Sequence, residues 1–314
     1  MAKAWIRDLQ VHLTSKTLKK KLTFVSNVNR DSSKVDFDIT VTGTKYMSFV
    51  KDSFVVEIKN LGYETVLQII NGRYYDIEIL AGYIEKGAES IFKGGVIYAS
   101  YRPEDPTTNS VILVCGNKLV ATYGQNKMNM SIKKDTNMYS AIKFLCKRAG
   151  MPTTNIDEAL KLRNFTQVTN ATDTIGNSLQ DIADTYSLIG NGDGTDNANM
   201  TIIDAARKNN RVIKLDKDNF VLTSGYPKVS SDGISFSTLP LFNFRPLDVV
   251  ILDKSIIDKS VGSYDATQIN AIDIQLDPDN KYLITQIDYS LSNRNTAYSV
   301  TIQAKARSLF RRFI

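Results

Sequence analysis

The chain has 314 residues, enough for about two domains of ordinary size. With 42% hydrophobic and 23% charged residues it has the composition of a folded globular protein, which excludes dominant disorder, and no apolar run reaches the roughly 18 residues that cross a bilayer as a helix. The net charge of +6, from 39 basic and 33 acidic residues, is mild for this length and argues against a dedicated nucleic-acid binder, whose charge would gather on one face.

The opening Met1-Ala2-Lys3-Ala4-Trp5-Ile6-Arg7-Asp8 meets an acid before any apolar stretch, so no signal peptide is expected. His12, between Val11 and Leu13, is the only histidine. A Ser-His-Asp or Cys-His enzyme would have to use it, and a multi-histidine zinc site within one chain is impossible. A structural role is the expectation for it. Lys19-Lys20-Lys21 reads as a solvated turn.

From there the pattern has a period of two. Val35, Phe37, Ile39 and Val41 alternate with polar residues, as do Phe54, Val56 and Ile58, and then Tyr75, Ile77 and Ile79. Each set predicts a strand with one face on a core. Ile91 to Ile97 reads as a strand kinked at Gly94-Gly95. The run Val111-Ile112-Leu113-Val114 predicts a strand buried on both faces. Short strands at regular spacing argue for a barrel or sandwich. Two cysteines, Cys115 and Cys146, make no disulfide framework and read as buried small hydrophobes in a reducing compartment.

The middle of the chain changes period. Met138, Ala141, Ile142, Leu145 and Ala149 share one helix face, with Asp135, Thr136 or Asn137 as cap and Gly150 and Pro152 beyond the end. A second helix is expected after Asn177-Ser178, with Leu179, Ile182, Ala183 and Tyr186 on its stripe. Gly190 to Asp196 reads as a loop. Its three glycines follow a helix and precede a strand, the reverse of a dinucleotide fingerprint. Its acids Asp193 and Asp196 lack the alternating oxygens of a calcium loop. Asp181 and Asp184 read as a solvated helix face rather than a paired-acid site. The last hundred residues return to strands: a buried run Val249 to Leu252, a strand through Tyr282, Ile284, Ile287 and Tyr289 with a bulge, and an alternating Tyr298, Val300, Ile302, Ala304.

The tail interleaves Arg307, Arg311 and Arg312 with Phe310 and Phe313, residue types enriched in binding hot spots. These five are the candidate interface residues. No Walker loop, HExxH, CxxC or GxSxG occurs, so no catalytic residue, metal or cofactor is expected.

Several segments, in order along nearly the whole chain, resemble the late control protein D family, the baseplate hub proteins of contractile-tailed phages and related injection systems. Phe54 to Leu61 resembles that family's early strand ending in Asn-Leu. Ile79-Leu80-Ala81-Gly82-Tyr83 followed by Ile91 to Ile97 resembles its next strand pair. The helix from Met138, closing on Ala149-Gly150-Met151, resembles its middle-domain helix. Gly225-Tyr226-Pro227-Lys228, Asp232-Gly233-Ile234, Leu239 to Leu241 and Pro246-Leu247-Asp248-Val249-Val250 resemble the passage that opens a second barrel. Leu247 stands where that family usually has glycine, so a different turn type is expected there. Tyr289 stands where it often has histidine.

The resemblance implies an α+β, mainly β fold: a tube-like β-barrel over 1–114, an α+β middle domain over 115–220 and a second tube-like barrel over 221–314. It implies a structural, non-enzymatic hub. Three copies would form a pseudo-six-fold ring that joins a six-fold tail tube to a three-fold central spike. Its partners would be the tube protein, the spike and baseplate wedge or other tail proteins, with DNA passing through the channel without specific binding. The place implied is the virion tail baseplate, after assembly in the host bacterial cytoplasm, with no membrane segment. The alternatives are a tail-tip adhesin that binds host glycan through tyrosines such as Tyr74, Tyr75, Tyr98 and Tyr101, and a tail-associated cell-wall hydrolase. Core or interface positions are expected for those tyrosines.

Overall fold

The computed structural model describes residues 6–15, 19–26, 37–47, 52–72, 75–104, 108–117, 126–148, 150, 154–186, 188–192, 200–204, 211–215, 227–230, 233–241, 243–253 and 280–306. The fold is mainly β. The first part holds β1 (Arg7–Ser15), β2 (Lys20–Val25), β3 (Asp38–Tyr46), β4 (Ser53–Lys59), α1 (Tyr63–Asn71), β5 (Tyr75–Tyr83), β6 (Gly87–Pro103) and β7 (Asn109–Gly116). The middle holds β8 (Met130–Ile132), α2 (Met138–Arg148), β9 (Thr154–Ile156), a 3-10 turn (Glu158–Leu162), β10 (Thr169–Ala171), α3 (Ile175–Tyr186), β11 (Leu188–Gly192) and β12 (Met200–Asp204). The last part holds β13 (Val212–Leu215), β14 (Lys228–Ser230), β15 (Gly233–Thr238), β16 (Val249–Leu252), β17 (Lys281–Ser292) and β18 (Tyr298–Ala306).

The strands of the first and last parts join one 13-stranded sheet in the order β14-β15-β18-β17-β3-β4-β7-β6-β5-β1-β2, with β16 beside β17 and β13 beside β16. Among the described residues the sheet ends at β2, at β14 and, on the branch through β16, at β13. Strand β17 is the hinge of this arrangement. Lys281 to Leu283 pair with β16, whereas Gln286 to Ser292 pair with β3. The bulge between Ile284 and Gln286, where the sequence pattern slips by one, separates the two partnerships. An extra residue bends a strand and turns its edge, which lets one strand serve two neighbours.

Alternation places one face of every strand inward. Leu9, Val11, Phe54, Val56, Ile79, Leu113, Ile287 and Ile302 are all buried in one core that both β regions share. Gly43 is required there, because a Cβ would meet the Phe54 ring at 2.3 Å. Phe54 in turn stacks on Phe92, with ring centroids 4.2 Å apart. The expected kink in β6 is a pair of bulges on either side of Gly94-Gly95, at Ile91 and at Ile97.

The middle part closes its own core from Met138, Ile142, Leu145, Phe165, Leu179 and Ile182, with β8–β10 and β11–β12–β9 as small sheets. Helix α2 has the predicted start, since Asn137 Oδ1 accepts the Ser140 N–H at 3.1 Å, and Gly150 beyond its end has φ 74°. Helix α3 begins at Ile175, before the expected Asn177-Ser178, because Thr174 Oγ1 accepts the Asn177 N–H. Two readings change. Gly190 to Gly192, expected as loop, lie in β11, where β12 pairs with them. Tyr63–Asn71, inside the all-strand region, forms α1 and buries Val66 and Ile69. No helix of the described residues is long and apolar enough to cross a membrane.

Candidate interaction surface

The outer face of the large sheet divides into three chemically distinct sectors. On β2, β1, β5 and β6, His12 pairs across to Glu78, and Glu78 to Lys93. The Lys93 Nζ–Glu78 Oε1 distance is 3.2 Å and the His12 Nδ1–Glu78 Oε2 distance 3.8 Å. Burial first, then the Lys21 charge, lowers the pKa of His12 against the pull of Glu78. Burial pushes Glu78 up, yet hydrogen bonds from Ser90 and Lys93 outweigh it and hold the carboxyl below its ordinary value. His12 therefore flanks the Glu78–Lys93 ion pair as a half-buried imidazole whose charged form is disfavoured.

On β4, β7 and β6 the outer face carries an apolar row, followed by Glu57 and Ser100 and then by Lys59 and Arg102. Val55, Val114 and Tyr98 lie opposite one another across the three strands, and Ile112 follows on the next row. The β6 bulge adds Ile97. Tyr98 and Ile97 are each 61% exposed and Val55 39%, although strand interiors usually alternate with polar residues. The run Val111 to Val114 thus departs from the expected burial on both faces. Val111 and Leu113 are buried, whereas Ile112 and Val114 are half-buried in this outer patch. Tyr98 and Tyr101 lie in a strand and are exposed on it. Tyr74 lies outside the described residues, as does the side chain of Tyr75.

On β15, β18, β17 and β3 the outer face is mostly hydroxyls and amides, with Asp38, Asp288 and Lys305 among them. Ser237 faces Thr301, Ser290 faces both Ser299 and Thr42, and Asp288 faces Thr44. The Ser237 and Thr301 hydroxyls are 2.8 Å apart.

Three polar groups, two buried and one half-buried, hold the surfaces in register. The Tyr298 hydroxyl on β18 donates to Gly82 O at 2.7 Å and accepts the Gly82 N–H at 3.2 Å, and it lies 3.2 Å from Asp8 O. The Arg7 guanidinium sits 4.9 Å from the centre of the Tyr298 ring and donates to Ser292 O at 2.7 Å. This clasp ties β1 and β5 to the β17–β18 hairpin. Asp248, buried, accepts from the Arg245 N–H at 2.8 Å and from Arg211 Nε at 3.1 Å. Asp52 accepts the Tyr46 N–H at 2.8 Å, and burial raises its pKa to about 6.

The turn before Asp248 has a defined type. Asp248 N–H bonds Arg245 O at 3.1 Å, Pro246 occupies the second position and Leu247 has φ 81° at the third. That is a type II turn, the kind a glycine suits. Leucine adopts the strained backbone because its side chain packs against Val249 and Leu283.

The chemical candidates are placed as follows. Burial pushes the Cys115 thiol up to about 12, so it is no thiolate nucleophile at neutral pH, and Cys146 is buried in the middle core. The Asp184 carboxyl accepts from Gln180 on the same helix. No group of three or more His, Cys, Asp or Glu among the described residues could hold a metal ion. Arg307, Phe310, Arg311, Arg312 and Phe313 lie outside the described residues. Sequence reasoning missed the Tyr298 clasp and the apolar sector. The surplus of apolar residues in Val111 to Val114 was the visible signal for the second.

No family model matches the chain, and no curated protein does. Solved structures do. The 43 kDa tail protein of prophage MuSo2 from Shewanella oneidensis superposes with a TM-score of 0.59 at 11% identity, over 96% of this chain and 98% of that one. A tail protein from Neisseria meningitidis superposes with a TM-score of 0.55 at 10% identity, over 95% and 96%. The chain has the fold of these tail proteins. A component of the E. coli type VI secretion system, described as similar in structure to the T4 bacteriophage tail proteins gp27 and gp5, also superposes, with a TM-score of 0.53 at 11% identity over 87% and 75%.

Proposed function

We propose that this chain is a structural hub of a phage-tail baseplate. Three copies form a ring, and each contributes two barrel-like halves built on β1–β7 and β13–β18, so that six similar units surround a channel. Such a ring fits a six-fold tail tube on one side and a three-fold central spike on the other, with closed rotational symmetry at its contacts. The observation that carries the reading is the fold shared with tail proteins along nearly the whole chain. The division at 1–114, 115–220 and 221–314 belongs to the proposal, with β13 the strand of the middle span that pairs into the large sheet. The partners are the tube protein, the spike and neighbouring baseplate proteins, and DNA passes through without specific binding. The role needs no catalytic step and no cofactor. The place is the virion tail, after assembly in the host cytoplasm.

The apolar sector on β4, β7 and β6 supports assembly, since exposed contiguous apolar surface is what a neighbouring protein covers. Light scattering with negative-stain images of the same peak tests the hub. The expected result is a trimeric mass and rings with a central hole. A monomer both alone and with the spike protein present overturns it. Exposed Tyr98 and Tyr101 favour the adhesin as the second reading, and retention on a glycan array that is lost on Tyr98→Ala would establish it.

A further inference from the structure

The middle unit carries charges that its own fold leaves unbalanced. The outward face of α2 holds Lys143, Phe144, Lys147 and Arg148, all exposed, and the helix contains no acid. Lys143 and Lys147 are spaced i, i+4, as are Phe144 and Arg148, so the Phe144 ring, 52% exposed, stands among the cations. Lys143 Nζ lies 5.7 Å from the centre of the Tyr139 ring, and among the described residues none of these cations has a carboxylate partner. The outward face of α3 holds Asp181 and Asp184, both exposed, and that helix contains no base. The Asp184 carboxyl takes a neutral donor, the Gln180 amide at 2.7 Å, while the Arg163 guanidinium caps that helix end by donating to Tyr186 O at 3.0 Å. Like charges three or four residues apart repel on a helix surface. Lys147 and Arg148 at least suit the negative end of the α2 dipole, whereas Asp184 stands at the negative end of α3.

The two faces do not meet within one copy. Helices α2 and α3 share a core through Ile142, Leu145, Leu179 and Ile182, and the charged residues stand on the sides of both helices that turn away from it. A second copy brings them together. The helix rise places Lys143 and Lys147 about 6 Å apart along the axis and Asp181 and Asp184 about 4.5 Å apart, so two ion pairs form in one register with Phe144 beside them. Exposed ion pairs alone contribute little, and an aromatic ring that becomes covered supplies the anchor they lack. We propose that the basic, Phe144-bearing face of α2 in one copy docks on the acidic face of α3 in the next. The contact is head-to-tail, the kind that closes into a ring under rotation. It rests on the ring reading and adds to it a copy-to-copy contact made by the middle units, outside the large sheet.

Disulfide cross-linking of the full chain tests it. Cys115 and Cys146 are buried, so introduced thiols report alone. The double variant Lys147→Cys with Asp184→Cys is expected to link copy to copy under mild oxidation, giving covalent dimers and trimers on a denaturing gel. Adding Lys143→Glu is expected to lower the yield at least tenfold at low salt, and adding Asp181→Lys to that variant to restore it. An intact ring by light scattering that gives no band between copies, or only a link within one chain, overturns the contact and leaves the hub standing. So does a yield that Lys143→Glu does not change, because the contact is then not ionic. Retention of short duplex DNA by the unmodified ring that is lost in Lys143→Glu with Lys147→Glu would give the α2 face to a polyanion and likewise overturn it. Failure to form any ring, with the spike protein present, removes the hub reading and this contact with it.

Discussion

In the sheet body, the Tyr298 hydroxyl meets Asp8 O, 290 positions away along the chain, and the Phe54 ring lies against both Phe92 and Tyr289. In the middle unit, by contrast, Ile142 and Leu145 of α2 pack with Leu179 and Ile182 of α3, all within one short stretch of sequence. Both regions solve the same burial problem. The middle unit does so with local helices and short sheets, the sheet body with pairings that bring the two ends of the chain together. The difference teaches that the sheet body folds as one cooperative object, whereas the middle unit has a core of its own.

The hardest blow to this contrast is Phe54→Ala. The ring is fully buried, and its removal is expected to cost about 3–5 kcal/mol. Hydrogen exchange should then speed up in β18 as well as in β4, and a loss confined to β3–β4 would break the picture of one shared core. Leu145→Ala is the matched change in the middle unit, expected to cost about 2–4 kcal/mol in urea unfolding. Exchange should rise in α2 and α3 while the β3–β17 ladder stays protected; loss of protection in both regions would show that the cores are coupled.

Tyr298→Phe probes the clasp without emptying the core. It leaves the peptide groups of Gly82 and Asp8 without the hydroxyl and is expected to cost about 1–3 kcal/mol, read as a lower thermal midpoint. Asp52 gives a pH signature. Its folded-state pKa is raised, so the folded chain binds the proton more tightly than the unfolded chain. Stability is greatest below the unfolded value of 3.8, falls as pH rises toward about 6, and is then level. Asp52→Asn keeps an acceptor for the Tyr46 N–H and should abolish that slope in melting curves, with a gain of about 1 kcal/mol at neutral pH once screening of a half-buried carboxylate is allowed for. The smallest effect is expected for Leu247→Gly. Relief of the left-handed backbone and loss of the leucine packing oppose each other, so the stability should stay within about 1 kcal/mol. A larger loss would mean that the packing outweighs the strain.

The contrast between the regions also explains what could be read in advance. The α2 face, its asparagine cap and its glycine stop were legible because a helix satisfies its backbone within a few residues. So were the alternating strands and the bulge after Ile284, where the period visibly slips. Helix α1 was hidden by the strands around it, and the Gly190 to Gly192 strand by its glycines, which β12 overrides through backbone pairing. The positive φ of Leu247 was not legible, because residue preference weighs against it, while Val249 and Leu283 supply the compensating contact.

The sequence by itself determined the β–α+β–β order, the inward residues of most strands, the two helix faces and the absence of familiar catalytic motifs. These follow from periodicity and local hydrogen bonding, which act over a few residues. Only the tertiary structure decided that β3 and β17 join the two β regions into one sheet, that Tyr298 clasps Gly82 and Asp8, and that the outer face separates into ionic, apolar and hydroxyl sectors. Strand neighbours far apart in sequence are chosen by burial and ladder pairing in the folded whole. A residue's outward direction says nothing about which residues stand beside it until those neighbours are set.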